Sequence, residues 1–216
     1  MQRVLDVVES KKILDKYGVP FVKSFFVKNI NGALIAANNI GYPIALKLVS
    51  KQVVHKTDAG AVVINITNDS ELEKSFNRML SDVKRKIHGM KIDGFLVQKM
   101  IDGIQTMVGG KMDETFGQVI SFGLGGILVE ILEDVTFRVV PINSLDATNM
   151  IADTKVKKIL SGVRGKKYDA KAVEEILFRV SKMLSENEKI LELDINPLIV
   201  LEKGAVAVDA RIVLGA

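Results

Sequence analysis

The chain has 216 residues, 48% of them hydrophobic and 26% charged, which is enough to bury one large core or two small ones. Its 30 basic and 26 acidic residues leave a net charge of +4. Without a Lys/Arg block interleaved with aromatics, that excess argues against nucleic acid and suits a protein that handles phosphates. The absence of cysteine excludes disulfides, thiolate chemistry and Cys-ligated zinc, and His55 and His88 lie too far apart in sequence to suggest a zinc site.

In chain order, Val4 to Tyr17 reads as an amphipathic helix stopped by Gly18 and Pro20. Its charges fall at helical spacing, unlike the apolar core of a signal peptide. Phe21 to Val27 is a short strand, Asn31 to Ile40 a small-residue helix ending at Gly41, and Pro43 to Val49 a strand. A polar stretch from Ser50 to Asp58 precedes a strand over Gly60–Ile66. Asp69 and Ser70 cap a helix from Glu71 to about Ile87, and Gly94 to Gln98 is the next strand. His88, before Gly89, reads as a capping cation at that helix end.

The period then changes. Thr106–Gly110, Gln118–Phe122 and Thr136–Val140 read as strands, and Ile127 to Leu132 as either a strand or a short helix. Ser144 to about Leu160 and Asp169 to Asn187 read as helices. Ile190–Val200 and Ala205–Val213 form a hairpin around Glu202-Lys-Gly204. This order predicts an α/β or α+β fold of two lobes, 1–97 and 98–216. No stretch approaches the roughly 18 apolar residues of a membrane span, so a soluble, cytoplasmic protein is expected.

Four constellations carry candidate chemistry. Asp194 and Asn196 are two apart on a strand and share a face, and folding the hairpin at Glu202-Lys203 sets Asp209 opposite Asn196. The three would present hard oxygen ligands of the kind that hold Mg²⁺; the same spacing also suits a hairpin rim with solvated acids. Lys47, inside the apolar run Ile44–Val49, needs a partner; it is either a phosphate-binding charge or an edge-strand lysine. His55, in HKTDAGA, is either a phosphoryl acceptor surrounded by backbone donors from Thr57, Asp58 and Gly60, or a surface histidine. The run FGLGGILVE, from Phe122 to Glu130, permits close backbone approach, but it is neither a Walker loop nor a dinucleotide fingerprint.

Taken in order, GYPIALKLVS, HKTDAGAV, FGLGGILVEILEDVTFRVVP, LSGVRG, ELDINPLIV and VDARIVL resemble the ATP-grasp subunit of ADP-forming acyl-CoA synthetases, such as the beta subunit of ADP-forming acetyl-CoA synthetase. These enzymes are related to succinyl-CoA synthetase. The resemblance spans nearly the whole chain. It implies an ATP-grasp fold with the nucleotide cleft between two lobes, ATP/ADP and Mg²⁺ as cofactors, and a CoA-binding alpha subunit that carries a phosphohistidine, in an α2β2-type assembly. It implies Lys47 as the phosphate-binding lysine, Gln98 and its neighbour Lys99 at the hinge beside adenine, and Gly60 in the loop after His55. It further implies Asn196 and Asp209 as magnesium ligands, Asp194 as the acid beside the phosphoryl-transfer centre, and His55 as the relay that takes phosphate from the partner. FGLGGILVE would be a close-approach loop that shapes the cleft.

Three positions depart from the family pattern. Lys99 replaces an acid in the family's VQEM, Gln105 replaces a ribose-contacting acid, and Gly60-Ala61 stands where a double glycine is usual. These departures motivate an alternative reading, a non-catalytic ATP-grasp scaffold or regulatory subunit.

Overall fold

The computed structural model describes residues 2–50, 61–86, 92–126, 134–162 and 165–215. Its chain divides into two compact units, one of residues 1–21 and 102–216, the other of residues 22–101. The expected division after residue 97 differs in two respects: the boundary falls after residue 101, and the first 21 residues belong with the second half. Strand β1 (Arg3–Leu5) is the reason, because it pairs antiparallel with a strand at the far end of the chain, Arg3 opposite Leu214. The predicted helix over Val4–Tyr17 is therefore a strand followed by α1 (Val7–Lys16). Asp6 makes the switch. Its carboxylate accepts the N–H groups of Val8 and Glu9 at 2.8 and 2.9 Å, and Glu9 reaches back to the Asp6 N–H at 3.3 Å.

The smaller unit holds β2 (Ser24–Val27), α2 (Ile30–Ile40), β3 (Ile44–Val49), β4 (Val62–Ile66), α3 (Asp69–Lys86) and β5 (Gly94–Lys99). Its antiparallel sheet has the order β2-β5-β3-β4. The alanines of α2, Ala33, Ala36 and Ala37, let that helix lie close, and Phe76 of α3 stacks on Phe95 with centroids 4.2 Å apart. Along β3 the core takes Ile44, Leu46 and Leu48, so strand alternation sends Ala45, Lys47 and Val49 to the other face.

The larger unit continues with β6 (Ile104–Asp113), β7 (Gly117–Leu124), β8 (Val135–Val139), α4 (Ser144–Ala152), α5 (Val156–Ser161), α6 (Ala170–Glu186), β9 (Ile190–Val200), β10 (Ala205–Ala207) and β11 (Ala210–Leu214). The sheet runs β1-β11-β9-β6-β7-β8, with β10 also on β9, and every pairing between these strands is antiparallel. This makes the fold α+β. Val108, Ile120, Phe122, Leu193, Ile195 and Ile212 join Val173, Leu177, Val180 and Leu184 of α6 in one core, so the helices cover one face of the sheet.

The helix predicted over Ser144–Leu160 is interrupted at residues 153–155. Asp153 pairs with Arg138 at 2.6 Å, Thr154 donates its hydroxyl to Ile151 O, and the Lys155 N–H donates to Asp134 at 2.8 Å. These contacts draw the backbone out of the helical ladder. The segment 127–132 and His88 lie outside the described residues.

Candidate functional site

Strand β9 alternates cleanly at its centre. Leu193 and Ile195 are in the core, and Glu192, Asp194 and Asn196 take the opposite face. The hairpin register then fixes what meets them. Ala205 lies opposite Val200 and Ala207 opposite Leu198, and after a short break Ala210 lies opposite Ile195 and Arg211 opposite Asp194. Residue numbers in each pair sum to a constant, so Asp209 falls opposite Asn196, as the hairpin turn predicts. In the break, the Val208 N–H donates to Pro197 O at 3.0 Å. Asp194, Asn196 and Asp209 thus come together on one face of the larger unit.

Burial pushes the Asp194 carboxyl above its ordinary range; the Arg211 guanidinium opposes that, and the Asp209 and Glu192 carboxylates add to it. Arg211 itself is ion-paired with Glu192. The donor set of two carboxylates and an amide oxygen suits a hard, oxygen-seeking ion such as Mg²⁺, with its other positions left to water and phosphate. Among the described residues no group of three His, Cys, Asp or Glu side chains could hold a metal by itself.

The glycine run meets this patch. β7 ends at Leu124, and the Gly125 N–H donates to Gln105 O at 3.0 Å. The Gly126 N–H then donates to Asn196 Oδ1 at 3.0 Å. Gln105, on β6 and exposed, has its side-chain oxygen 2.6 Å from where a Cβ on Gly126 would stand. Sequence reasoning missed the Gly126–Asn196 bond, and it missed Arg211 and Glu192 as neighbours of Asp194. The one signal for Arg211 was its place two residues after Asp209.

In the smaller unit, Lys47 is 6% exposed and lies between Val62 of β4 and Leu96 of β5. Gln98, 1% exposed, lies opposite Ala45 and so shares the Lys47 face. Lys99 turns the other way: its ammonium donates to Gly41 O at 3.2 Å, at the end of α2, while its N–H donates to Lys23 O at 3.0 Å. The structure therefore groups Lys47 with Gln98 in one unit, and Gln105, Asp194, Asn196 and Asp209 in the other. His55 and Gly60 lie outside the described residues.

A model of the ATP-grasp domain matches residues 1–214. The chain is 43% identical over 209 residues to acetate–CoA ligase [ADP-forming] I of Archaeoglobus fulgidus, covering 96% of this chain and 30% of that protein. It is 42% identical over 211 residues to the beta subunit of acetate–CoA ligase [ADP-forming] II of Pyrococcus furiosus, covering 95% of this chain and 89% of the subunit. The chain thus spans under a third of the single-chain relatives and nearly all of the separate beta subunits. Among solved structures, it resembles the dinucleotide forming acetyl-coenzyme A synthetase 1 of Ca. Korarchaeum cryptofilum. In complex with coenzyme A, Ca-AMPCP and HgCl⁺ that protein matches with a TM-score of 0.94 at 39% identity, over 99% of this chain and 94% of the other. With coenzyme A and Mg-AMPPCP, and its phosphohistidine segment pointing towards the nucleotide site, the TM-score is 0.85 at 34% identity, over 99% and 93% of the two chains.

Proposed function

This chain belongs to the ATP-grasp family, alongside the beta subunits of ADP-forming acetate–CoA ligases, and on that footing we propose that it is the nucleotide-binding component of an ADP-forming acyl-CoA synthetase. The overall reaction is acyl-CoA + ADP + phosphate ⇌ carboxylate + CoA + ATP. The observation that carries the reading is the meeting of Asp194, Asn196 and Asp209 on one sheet face. The complexes of the Korarchaeum relative with metal-bound nucleotide analogues support it.

In this reading a CoA-binding alpha partner, in an α2β2-type cytoplasmic assembly, presents a phosphohistidine. The P–N bond on the partner's imidazole breaks as a new P–N bond forms on His55. That second bond breaks as an oxygen of the ADP β-phosphate takes the phosphoryl group, giving ATP and leaving both imidazoles free. Lys47 holds nucleotide phosphate as a point charge, and Gln98 and Gln105 hydrogen-bond the nucleoside. Asn196 and Asp209 would hold Mg²⁺, which when bound neutralises charge on the phosphate oxygens. Asp194 serves as the acid next to the phosphoryl-transfer centre. Lys99 contributes its backbone, because its side chain serves α2.

Mixing the protein with its partner, labelled phosphate, acyl-CoA and ADP tests this. Label should appear in ATP with the parent and be lost with His55→Ala. Equal transfer by His55→Ala would end the relay.

A further inference from the structure

Strand β7 and strand β9 are not neighbours, because β6 lies between them. For the chain leaving β7 to touch a β9 side chain it must cross the end of β6. It does so at Gly125, where a Cβ would stand 2.4 Å from Thr106 O, a backbone atom of β6. The next residue, Gly126, has φ +66 and puts its N–H 3.0 Å from Asn196 Oδ1. A backbone N–H can only donate, so the amide atom facing it must be oxygen. One lone pair of Oδ1 is thereby taken, the amide plane is set, and the second lone pair is directed elsewhere. A side chain on Gly126 would face the Gln105 side-chain oxygen at 2.6 Å and would need a backbone conformation that L residues rarely adopt.

We propose that Gly126 is a positioning residue of the cation site: its N–H orients the Asn196 amide oxygen toward the ion, so that the Gly125–Gly126 turn sets cation affinity together with β9. The glycine run is then the outer support of a metal ligand and not a phosphate cradle. This inference rests on the reading of Asn196 and Asp209 as magnesium ligands. Outer partners of this kind are worth about 10–100-fold in metal affinity.

The test is a Mn²⁺ titration of the intact protein in the presence of saturating ADP, followed by paramagnetic enhancement of water proton relaxation. Metal-free ADP binding is measured separately by equilibrium dialysis. Gly126→Ala should raise the Mn²⁺ dissociation constant about 10-fold or more, over and above any change in metal-free ADP binding that comes through Gln105. Gly126→Asn, which tolerates a left-handed backbone better, repeats the test if the alanine variant does not fold. Gly204→Ala is the control: it carries the same kind of backbone strain, at φ +83 with nothing within 4 Å of its Cβ, and should leave Mn²⁺ affinity at the parent value. Parent-like Mn²⁺ affinity in a folded Gly126 variant would overturn the positioning role alone. A parent that takes up no Mn²⁺ beside ADP would overturn the cation reading beneath it.

Discussion

Replacing Gly125 by alanine isolates the steric half of the turn. The new Cβ would lie 2.4 Å from Thr106 O, 2.7 Å from its carbonyl carbon and 3.0 Å from its nitrogen. That is about 1 Å inside ordinary van der Waals contact, and every atom met belongs to the backbone. Thr106 cannot retreat. It is fully buried, its strand is bonded to β7 on one side and β9 on the other, and its hydroxyl donates to Leu198 O at 2.9 Å. The conflict must be met by moving the turn or bending the sheet. Overpacking of this kind costs about 1–3 kcal/mol. At this chain length each kcal/mol lowers Tm by about 2–4 °C, so circular dichroism melts should show Gly125→Ala roughly 2–12 °C below the parent. Since φ at Gly125 is not in the left-handed region, backbone strain adds nothing to that figure. A Gly125→Ala protein that melts within about 1 °C of the parent would refute the claim that β6 sets the close approach.

Three further outcomes are expected. Asp194 holds its proton to a higher pH in the folded chain than in the unfolded one, so its ionisation removes stability as pH rises through the folded value. Asp194→Asn should therefore melt above the parent at neutral to alkaline pH, with the gap closing in acid, while phosphoryl transfer falls; Tm measured against pH checks the sign. Saturating Mg-ADP at 100 times its Kd should stabilise the parent by about 2.7 kcal/mol. Asp209→Ala should lose at least about 1.4 kcal/mol of that gain, read as a smaller thermal shift at equal ligand. Ser181, buried on α6, accepts the Ile142 N–H at 2.9 Å. Ser181→Ala leaves that donor unpaired and should cost about 1–3 kcal/mol in denaturant unfolding.

What was legible in the sequence was what local rules determine. The hairpin register followed from a short turn at Glu202-Lys203, and a two-residue period then put Asp194, Asn196 and Asp209 together. Lys47 stood out because a lysine in an apolar strand has to face something other than the core. What failed was set by contacts distant in sequence. β1 reads as helix until its partner, at the other end of the chain, is known. The break between α4 and α5 depends on Arg138 and Asp134, which act on Asp153 and Lys155 from outside the helix. Gly126 and Asn196 are 70 residues apart, and no spacing rule links a glycine turn to an amide at that range. The family resemblance set Lys99 at the hinge beside Gln98; its ammonium goes to Gly41 because neighbours on a strand point to opposite faces.

The pairing of β1 with β11 has a bearing on how the protein is made. Residues 22–101 form a unit from one unbroken run of chain, so that part is free to fold while the ribosome is still working. The first strand cannot: its hydrogen-bonding neighbour spans Ala210–Leu214 and is translated last among the elements. At about 5–20 residues per second, β1 waits roughly 10–40 seconds with an unpaired edge before β11 arrives. Cutting the nascent chain short at Val208 would therefore leave β1 without its mate.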